Sequence, residues 1–249
     1  MSQSLKSLVK PLVPVWALNK WRQRLYEAEQ ARYKNLPLNQ VFEEIYETHT
    51  WDQKGSTARF RSGPGSSALV TKSYEAFVVD YLMHHPEART LVDIGCGDFQ
   101  VGHRILDALA TLERPIRYIG CDIASNVIDY NSRTFGAPNV SFQVLDATNG
   151  SPPAGDIVTV REVFQHLSNA HICTAIANLR QHFGHAIITE SIPPNPRAPN
   201  VDIVSGYRTR DGYGSGVFVD KPPFNLTVLN ELVTVVSPTH EIRTTLVRL

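Results

Sequence analysis

Residues 90–99 read TLVDIGCGDF, a short apolar stretch that runs directly into two glycines separated by one residue. The apolar part, 91–94, predicts a buried β-strand. Gly95 and Gly97 predict a tight turn where the backbone can approach a ligand closely, because glycine has no Cβ. The amide groups of a helix that follows the turn would face the same ligand. This stretch therefore predicts an α/β domain with a ligand site beyond its first strand.

Strands and helices alternate along the next hundred residues. Helical periodicity separates four further apolar strands, predicted at 116–121, 140–145, 156–160 and 186–189. The alternation predicts a parallel sheet covered by helices on both faces. Two final runs, 232–236 and 242–247, flank a connection too short for a crossover helix and predict an antiparallel hairpin. The predicted fold is a doubly wound, mostly parallel seven-stranded sheet that closes with this hairpin.

The composition excludes several classes of protein. With 249 residues, 42% hydrophobic and 19% charged, the chain can bury a sizeable core and is not disordered throughout. Equal numbers of basic and acidic residues, 24 of each, argue against a dedicated nucleic-acid-binding protein. Three cysteines without a Cys-x-x-Cys pair indicate neither a disulfide framework nor a zinc site. No clear cluster of acids and histidines marks a metal site, although Asp202 with Glu190 stays open as a pair of ligands. No run is long enough to span a membrane, and a cytoplasmic location is expected.

Basic residues are concentrated near the start of the chain. Residues 1–40 hold seven Lys or Arg side chains against two Glu, with Trp16, Trp21 and several leucines between them. This mixture predicts a basic, amphipathic helical extension over 1–38, followed by a domain over 39–249 with a loop-rich insertion at 191–224. The extension would lie on an anionic membrane surface, peripheral to the inner face. Alternatively, it would pack on its own domain or on a second subunit of a homodimer.

Acidic residues follow the second and third predicted strands. Asp122 comes after the second strand, and Asp146 and Ala147 come after the third. Ligands of open α/β sheets bind beyond the carboxyl ends of the strands. A carboxylate at Asp122 can accept hydrogen bonds from both hydroxyls of a ribose, and one at Asp146 can accept from an adenine amino group. The pattern predicts a ligand that contains a nucleoside.

Residues 91–97, Asp122, Asp146 and the terminal hairpin together resemble a class I S-adenosylmethionine-dependent methyltransferase with a Rossmann-like sheet. The resemblance covers about residues 88–249 and implies that S-adenosylmethionine is the cofactor. The sequence departs from the family pattern at Phe99, where a third glycine is common.

The resemblance also implies the cofactor contacts. The first-strand residues Asp93, Gly95 and Gly97 would line the methionine part of the cofactor. Asp122 would hold the ribose. The remaining predicted contacts are Ile123, Asp146 and Ala147 at the adenine, together with Arg161 after the fourth strand.

A narrower resemblance concerns the acceptor. Trp51, the Gly- and Pro-containing turn at 62–66 and the stretch PPFNL at 222–226 accompany the glycine motif in bacterial methyltransferases, many of them associated with surface glycans. This resemblance implies a saccharide or another small molecule as acceptor. The predicted reaction is methyl transfer to an oxygen of that acceptor, in preference to a nitrogen.

His166 is the candidate catalytic residue, because an imidazole with an ordinary pKa near 6.5 can accept a proton at neutral pH. The alternative is a structural histidine that binds a loop carbonyl. Glu162 is a candidate for orienting the substrate. The insertion supplies Tyr207, Arg208 and Tyr213, and it would form either a substrate lid or a solvated loop that only covers the sheet.

Two other functions remain open at this point. A nicotinamide-dependent α/β oxidoreductase also has a Gly-x-Gly turn, but its third glycine would stand at Gln100. A methyltransferase-like subunit that binds a partner without catalysis would tolerate Phe99 and the lack of an unmistakable base.

Overall fold

The computed structural model describes residues 20, 21, 24, 27, 28, 30–51 and 59–249. The chain divides into two units, Met1–Pro37 and Leu38–Leu249. Most of the basic extension over 1–38 lies outside the described residues, so its membrane and subunit contacts stay predictions. In the part of the chain that is described, no helix is long and apolar enough to cross a membrane.

The second unit contains five helices and seven strands among the described residues. The helices are α1 (Leu38–Glu47), α2 (Ala68–His84), α3 (Gln100–Thr111), α4 (Ser125–Phe135) and α5 (Asn169–Arg180). The strands are β1 (Thr90–Ile94), β2 (Arg117–Asp122), β3 (Val140–Val144), β4 (Ile157–Arg161), β5 (His185–Ile192), β6 (Thr227–Ser237) and β7 (His240–Arg248). Short 3₁₀ turns occupy Pro64–Ser66, Phe164–His166 and Arg210–Tyr213.

All seven strands form one sheet in the order β3-β2-β1-β4-β5-β7-β6. The first five strands pair in parallel, whereas β7 is antiparallel to both β5 and β6. The predicted fold class is therefore confirmed. Because β1 lies between β2 and β4, the strand order reverses beside it, and an open sheet binds its ligand at such a position.

Apolar side chains of α2 and α3 cover one face of the sheet. Leu82 of α2 and Leu109 of α3 are almost completely buried in one cluster with Leu91 of β1. Their spacing places these side chains on the inward faces of the two helices. This packing fixes β1 in the centre of the sheet and, with it, the glycine turn at its end.

Phe99, at the position where the resemblance implies a third glycine, adopts the left-handed conformation with φ 64°. Its side chain is 2% exposed, and its ring centroid lies 4.9 Å from that of Phe142 and 5.0 Å from that of Tyr118. An L-residue in this conformation costs about 1–2 kcal/mol. The aromatic contacts offset that cost, so the turn keeps its shape without the third glycine.

Candidate active site

A cavity of about 380 Å³ opens beyond the carboxyl ends of the parallel strands. Most of the predicted site residues line it. On the side of β1 to β3 these are Asp93, Gly95, Asp122, Ile123, Asp146 and Ala147. On the side of β4 and the insertion they are Arg161, Glu162, His166 and Tyr207. Three predicted residues do not line the cavity: Gly97, Arg208 and Tyr213.

The two glycines of the turn after β1 have positive φ values, 74° at Gly95 and 52° at Gly97. A Cβ on Gly95 would lie 2.2 Å from Val163 Cγ2, so no larger residue fits there. Gly97 lies behind the cavity wall, where its N–H donates to Asp122 Oδ2 at 3.0 Å and its carbonyl accepts from Asn131 Nδ2 at 2.7 Å. Gly97 therefore shapes the turn instead of lining the cavity, because both its polar groups are bound to the protein.

Asp122 ends β2 with its side chain 6% exposed. Its oxygens accept from Gly97 N and from Ala124 N, each at 3.0 Å. Burial raises the pKa of this carboxyl to about 6, although these backbone hydrogen bonds act in the opposite direction. Each carboxylate oxygen has two lone pairs, so both can still accept from a ligand hydroxyl.

Asp146 and Ala147 follow β3 in a tight turn. Asp146 Oδ1 accepts from the amide and the hydroxyl of Thr148, at 2.8 and 2.7 Å. The carbonyl of Ala147 accepts from Asn178 Nδ2 at 2.9 Å, which ties the turn to α5. The two residues are held in the cavity wall beside Ile123.

Asp93 and Arg161 bring opposite charges to the centre of the cavity. Asp93 accepts from Tyr118 Oη at 2.6 Å and from Thr159 Oγ1 at 2.7 Å, and burial raises its pKa. Arg161 is 9% exposed, with its guanidinium 5.5 Å from the ring centroid of Tyr74 and a hydrogen bond from Nη2 to the carbonyl of Gly65. Among the described residues, Arg161 Nε is buried without a hydrogen-bond partner. A buried donor of this kind suits an anionic ligand group.

A chain of polar side chains crosses the opposite side of the cavity, after β4, β5 and the hairpin. Ser191 Oγ lies 2.8 Å from Glu162 Oε2 and 3.3 Å from His240 Nε2. Gln165 Nε2 lies 2.6 Å from Glu162 Oε2 and 3.4 Å from His166 Nε2. All five of these residues line the cavity. They form a hydrogen-bonded array that runs from β7 to the 3₁₀ turn after β4.

His166 lies at the end of that array. Burial lowers the pKa of its imidazole to about 4, although the backbone at Arg208, Gly206 and Tyr207 acts to raise it. The ring is therefore neutral at neutral pH, and the expectation of an ordinary pKa near 6.5 is wrong. Its Nδ1 atom is buried and forms no hydrogen bond of normal geometry within the described part of the chain.

Residues 92–185 match the family model of a methyltransferase domain. This part of the chain is therefore similar to a methyltransferase domain. The predictions of an S-adenosylmethionine-dependent methyltransferase and of that cofactor are thereby confirmed, and the nicotinamide alternative gains no support. Among curated protein sequences, none matches the chain.

Solved structures of methyltransferases share the fold at low sequence identity. One is magnesium protoporphyrin IX methyltransferase (ChlM) from Synechocystis PCC 6803 with bound S-adenosylmethionine. Its TM-score is 0.53 at 15% identity, over 86% of this chain and 98% of that one. Another is the CMeT domain of the citrinin polyketide synthase. Its TM-score is 0.50 at 12% identity, over 72% of this chain and 52% of that one.

The cavity of this methyltransferase fits its cofactor chemically. Asp122 and Asp146 offer carboxylate oxygens where a ribose and an adenine need acceptors. Arg161 Nε, buried beside Asp93 and Gly95, is an unused donor for a carboxylate such as that of the methionine part. The residues present can therefore hold both ends of the cofactor.

The insertion after β5 is anchored and does not merely cover the sheet in solvent. Arg210 is 1% exposed and donates to the carbonyls of Phe164, Gln165, Leu167 and Val201 and to Asn169 Oδ1, at 2.7–3.2 Å. This side chain ties the insertion to the loop after β4. Tyr207, Thr209 and Asp211 thereby reach the cavity wall.

The two other predicted residues of the insertion lie outside the cavity lining. The guanidinium of Arg208 lies 5.0 Å from the ring centroid of its neighbour Tyr207. Tyr213 is 43% exposed. Their predicted contact with the acceptor stays a prediction.

The buried carboxylate of Glu190 accepts hydrogen bonds from the backbone of the loop after β4. Its oxygens accept from Phe164 N at 2.8 Å and from Gln165 N at 2.9 Å. Burial and the nearby charge of Glu162 raise its pKa well above the ordinary value. Glu190 therefore acts as a support for the 3₁₀ turn that carries His166. Among the described residues, no group of three or more His, Cys, Asp or Glu side chains could hold a metal ion.

Sequence reasoning missed Ser191, His240 and Gln165 as site residues. Ser191 is the second residue after the predicted end of the fifth strand, and His240 stands in the short connection of the predicted hairpin. A search limited to the residues directly after each predicted parallel strand finds neither Ser191 nor His240. The signal that could have found them is the hairpin itself, since its turn lies at the edge where the parallel strands end.

Proposed function

We propose that this methyltransferase transfers a methyl group to an oxygen of a small, neutral, hydroxylated acceptor such as a saccharide. The observation that carries the proposal is the array of Glu162, Gln165, His166, Ser191 and His240 on one side of the cavity. It offers hydrogen-bond donors and acceptors close together. Hydroxyl groups both donate and accept, so several hydroxyls on one molecule match such a surface.

The sheet order supports a division of the cavity into two halves. Asp122 and Asp146 follow β2 and β3, whereas the array follows β4 and β5 and includes the start of β7. β1 separates the two groups of strands. The nucleoside part of the cofactor would therefore lie on one side of β1 and the acceptor on the other, with the reacting methyl group between them.

The charges around the cavity favour a neutral acceptor. Within the part of the chain that the structure describes, one guanidinium, that of Arg161, lines the cavity. Six acidic side chains line it: Asp93, Asp98, Asp122, Asp146, Glu162 and Asp211. If Arg161 binds the carboxylate of the cofactor, no other Arg or Lys among the described residues lines the cavity to bind an anionic acceptor. A sugar hydroxyl brings no charge into this field.

The chemistry places few demands on the protein. The bound cofactor supplies an electrophilic methyl group whose departure leaves a neutral thioether. The chain must hold the acceptor oxygen in line, remove its proton and keep bulk water out. The insertion, which Arg210 anchors over the array, serves the last of these roles.

The proposal is tested in two steps. Calorimetry should show binding of S-adenosylmethionine and S-adenosylhomocysteine but not of NADH. Incubation with tritiated S-adenosylmethionine should then label monosaccharides or other polyols in a panel that also contains amines and carboxylic acids. Transfer to amines or acids alone would contradict the proposed acceptor class. Cofactor binding without any transfer would favour the non-catalytic binding subunit.

A further inference from the structure

His240 reaches the cavity because of the way β7 enters the sheet. β7 runs antiparallel to β5, with Glu241 opposite Ile192 and Ile242 opposite Ser191. The strand therefore begins at the edge where the parallel strands end. This direction brings an imidazole from the C-terminal hairpin next to residues of β5 and of the loop after β4.

The Ser191 hydroxyl determines which nitrogen of His240 carries the proton. Ser191 Oγ lies 3.0 and 2.8 Å from the two oxygens of the Glu162 carboxylate, which can only accept. The single hydroxyl hydrogen is therefore donated to Glu162. The 3.3 Å contact between Ser191 Oγ and His240 Nε2 then requires a hydrogen from the imidazole. In the neutral form of the ring, His240 therefore carries its proton on Nε2 and has a lone pair on Nδ1.

Gln165 imposes the opposite arrangement on His166. Its amide nitrogen must face Glu162 Oε2 at 2.6 Å, because two oxygens at that distance would repel each other. The same nitrogen lies 3.4 Å from His166 Nε2, so that ring atom faces an N–H group and presents a lone pair to it. The proton of the neutral His166 ring is therefore on Nδ1. A protonated Nδ1 can donate a hydrogen bond but cannot take a proton.

Trp51 adds a second donor beside His166. The two ring centroids are 5.2 Å apart, and both residues line the cavity. Within the described residues, Trp51 Nε1 is buried without a hydrogen-bond partner. His166 Nδ1 is buried too and forms no hydrogen bond of normal geometry there, although the backbone at Gly206, Tyr207 and Arg208 acts on this ring. An indole nitrogen only donates. This part of the wall therefore suits an oxygen that accepts, such as a ring or hydroxyl oxygen of the acceptor.

We infer that His240 is the general base of the methyl transfer and that His166 and Trp51 are donors that orient the acceptor. This inference rests on the proposed function and replaces the role first predicted for His166. The acceptor O–H bond breaks, and its proton passes to His240 Nδ1. The oxygen keeps the electron pair that forms the new bond to the methyl carbon, while the bond from that carbon to the sulfonium sulfur of the cofactor would break and leave its electron pair on the sulfur. The resulting imidazolium is stabilised through Ser191 by the negative charge of Glu162.

The tautomers can be measured directly in the full chain. Nitrogen-15 NMR of protein labelled at histidine, with bound S-adenosylhomocysteine, distinguishes a protonated ring nitrogen from a bare one. His240→Gln and His166→Gln assign the two signals, and His103→Gln on the exposed face of α3 is the control. We expect a proton on Nε2 of His240 and on Nδ1 of His166. A proton on Nδ1 of His240, or a bare Nδ1 on His166, would overturn the inference.

A second experiment measures the steady-state kinetics of methyl transfer to an acceptor hydroxyl that the wild-type protein methylates. His240→Gln should lower kcat about 10²–10³-fold with the Kd for S-adenosylmethionine unchanged, the range expected for loss of a general base. Added imidazole should restore part of the rate of His240→Ala. His166→Phe should act mainly by raising KM. Wild-type kcat in His240→Gln would overturn the inference, whereas failure of the wild-type protein to bind S-adenosylhomocysteine would contradict the proposed function itself.

Discussion

Ser62 and Asp98 hydrogen-bond to each other in both directions. Ser62 Oγ accepts from Asp98 N at 2.9 Å, and Asp98 Oδ2 accepts from Ser62 N at 3.3 Å. The pair joins the turn that precedes α2 to the turn that follows β1. A Cβ on Gly97 would lie 2.0 Å from Ser62 Oγ, so the two turns are also in close steric contact. The upstream turn is therefore a structural part of the cofactor site.

Ser62→Ala should lower the free energy of unfolding by about 1–2 kcal/mol, because Asp98 N loses a partly buried acceptor. It should also weaken cofactor binding, since residues on both sides of the pair line the cavity. Urea unfolding and calorimetry measure the two effects. Ser67→Ala is the matched control, because Ser67 is exposed and its side chain makes no capping bond. Equal stability of the two variants would contradict the structural role of Ser62.

Asp122 predicts a pH dependence of cofactor binding. Burial raises the pKa of its carboxyl to about 6, and only the ionised form accepts from both ribose hydroxyls. The affinity for S-adenosylmethionine should therefore rise with pH through about 6 and then level off. Asp122→Asn should weaken binding at pH 8 by about 1.5–3 kcal/mol and remove this rise. Calorimetry between pH 5 and 8 measures the affinity of both proteins for S-adenosylmethionine. If the affinity of Asp122→Asn rises with pH as the wild-type affinity does, the pH dependence belongs to another group.

Arg210 predicts that the insertion contributes strongly to stability. Replacement by Ala leaves four carbonyls and one amide oxygen without their buried donor. We expect a loss of about 3–5 kcal/mol in the free energy of unfolding. The exposed Arg180 provides the control, for which Arg180→Ala should change stability by at most about 0.5 kcal/mol. A small effect of Arg210→Ala on urea unfolding would show that the insertion is held by other contacts.

Phe99 tests whether packing or backbone conformation dominates at the third position of the turn. Phe99→Gly relieves the left-handed strain of about 1–2 kcal/mol. The variant also loses an aromatic ring from a closely packed cluster, which costs about 3–5 kcal/mol for such a side chain. The net result should be a destabilisation of about 1–4 kcal/mol in thermal or urea unfolding. A more stable glycine variant would show that strain outweighs the packing.

The sequence predicts the sheet and half of the site for one physical reason. Apolar runs such as 91–94 and 156–160 are short and continuous because their strands are buried on both faces. The ends of the second and third predicted strands then locate Asp122 and Asp146, which follow directly, and Asp93 is the acidic residue within the first run. A local sequence pattern is enough to predict a site residue that lies next to its strand.

The other half of the site depends on contacts between distant residues. Ser191 and His240 meet only because β5 and β7 pair in one particular register. Arg210 lies in the insertion, for which the sequence predicts only a lid or a covering loop, and its burial follows from acceptors that lie about 45 residues earlier. The pKa of His166 likewise depends on its burial and on the backbone at 206–208, a segment of the insertion. A local pattern contains none of this information.

The polar groups of Gly97 are both engaged before any ligand arrives. Asp122 receives its N–H, and Asn131 donates to its carbonyl, so the peptide planes on either side of the glycine are held by β2 and α4. The backbone entropy of this loop is thus lost when the protein folds. Association with the cofactor need not order the loop again, and that part of the entropic cost of binding is absent. Glycine, the most flexible residue in isolation, forms one of the most constrained segments of the cofactor site.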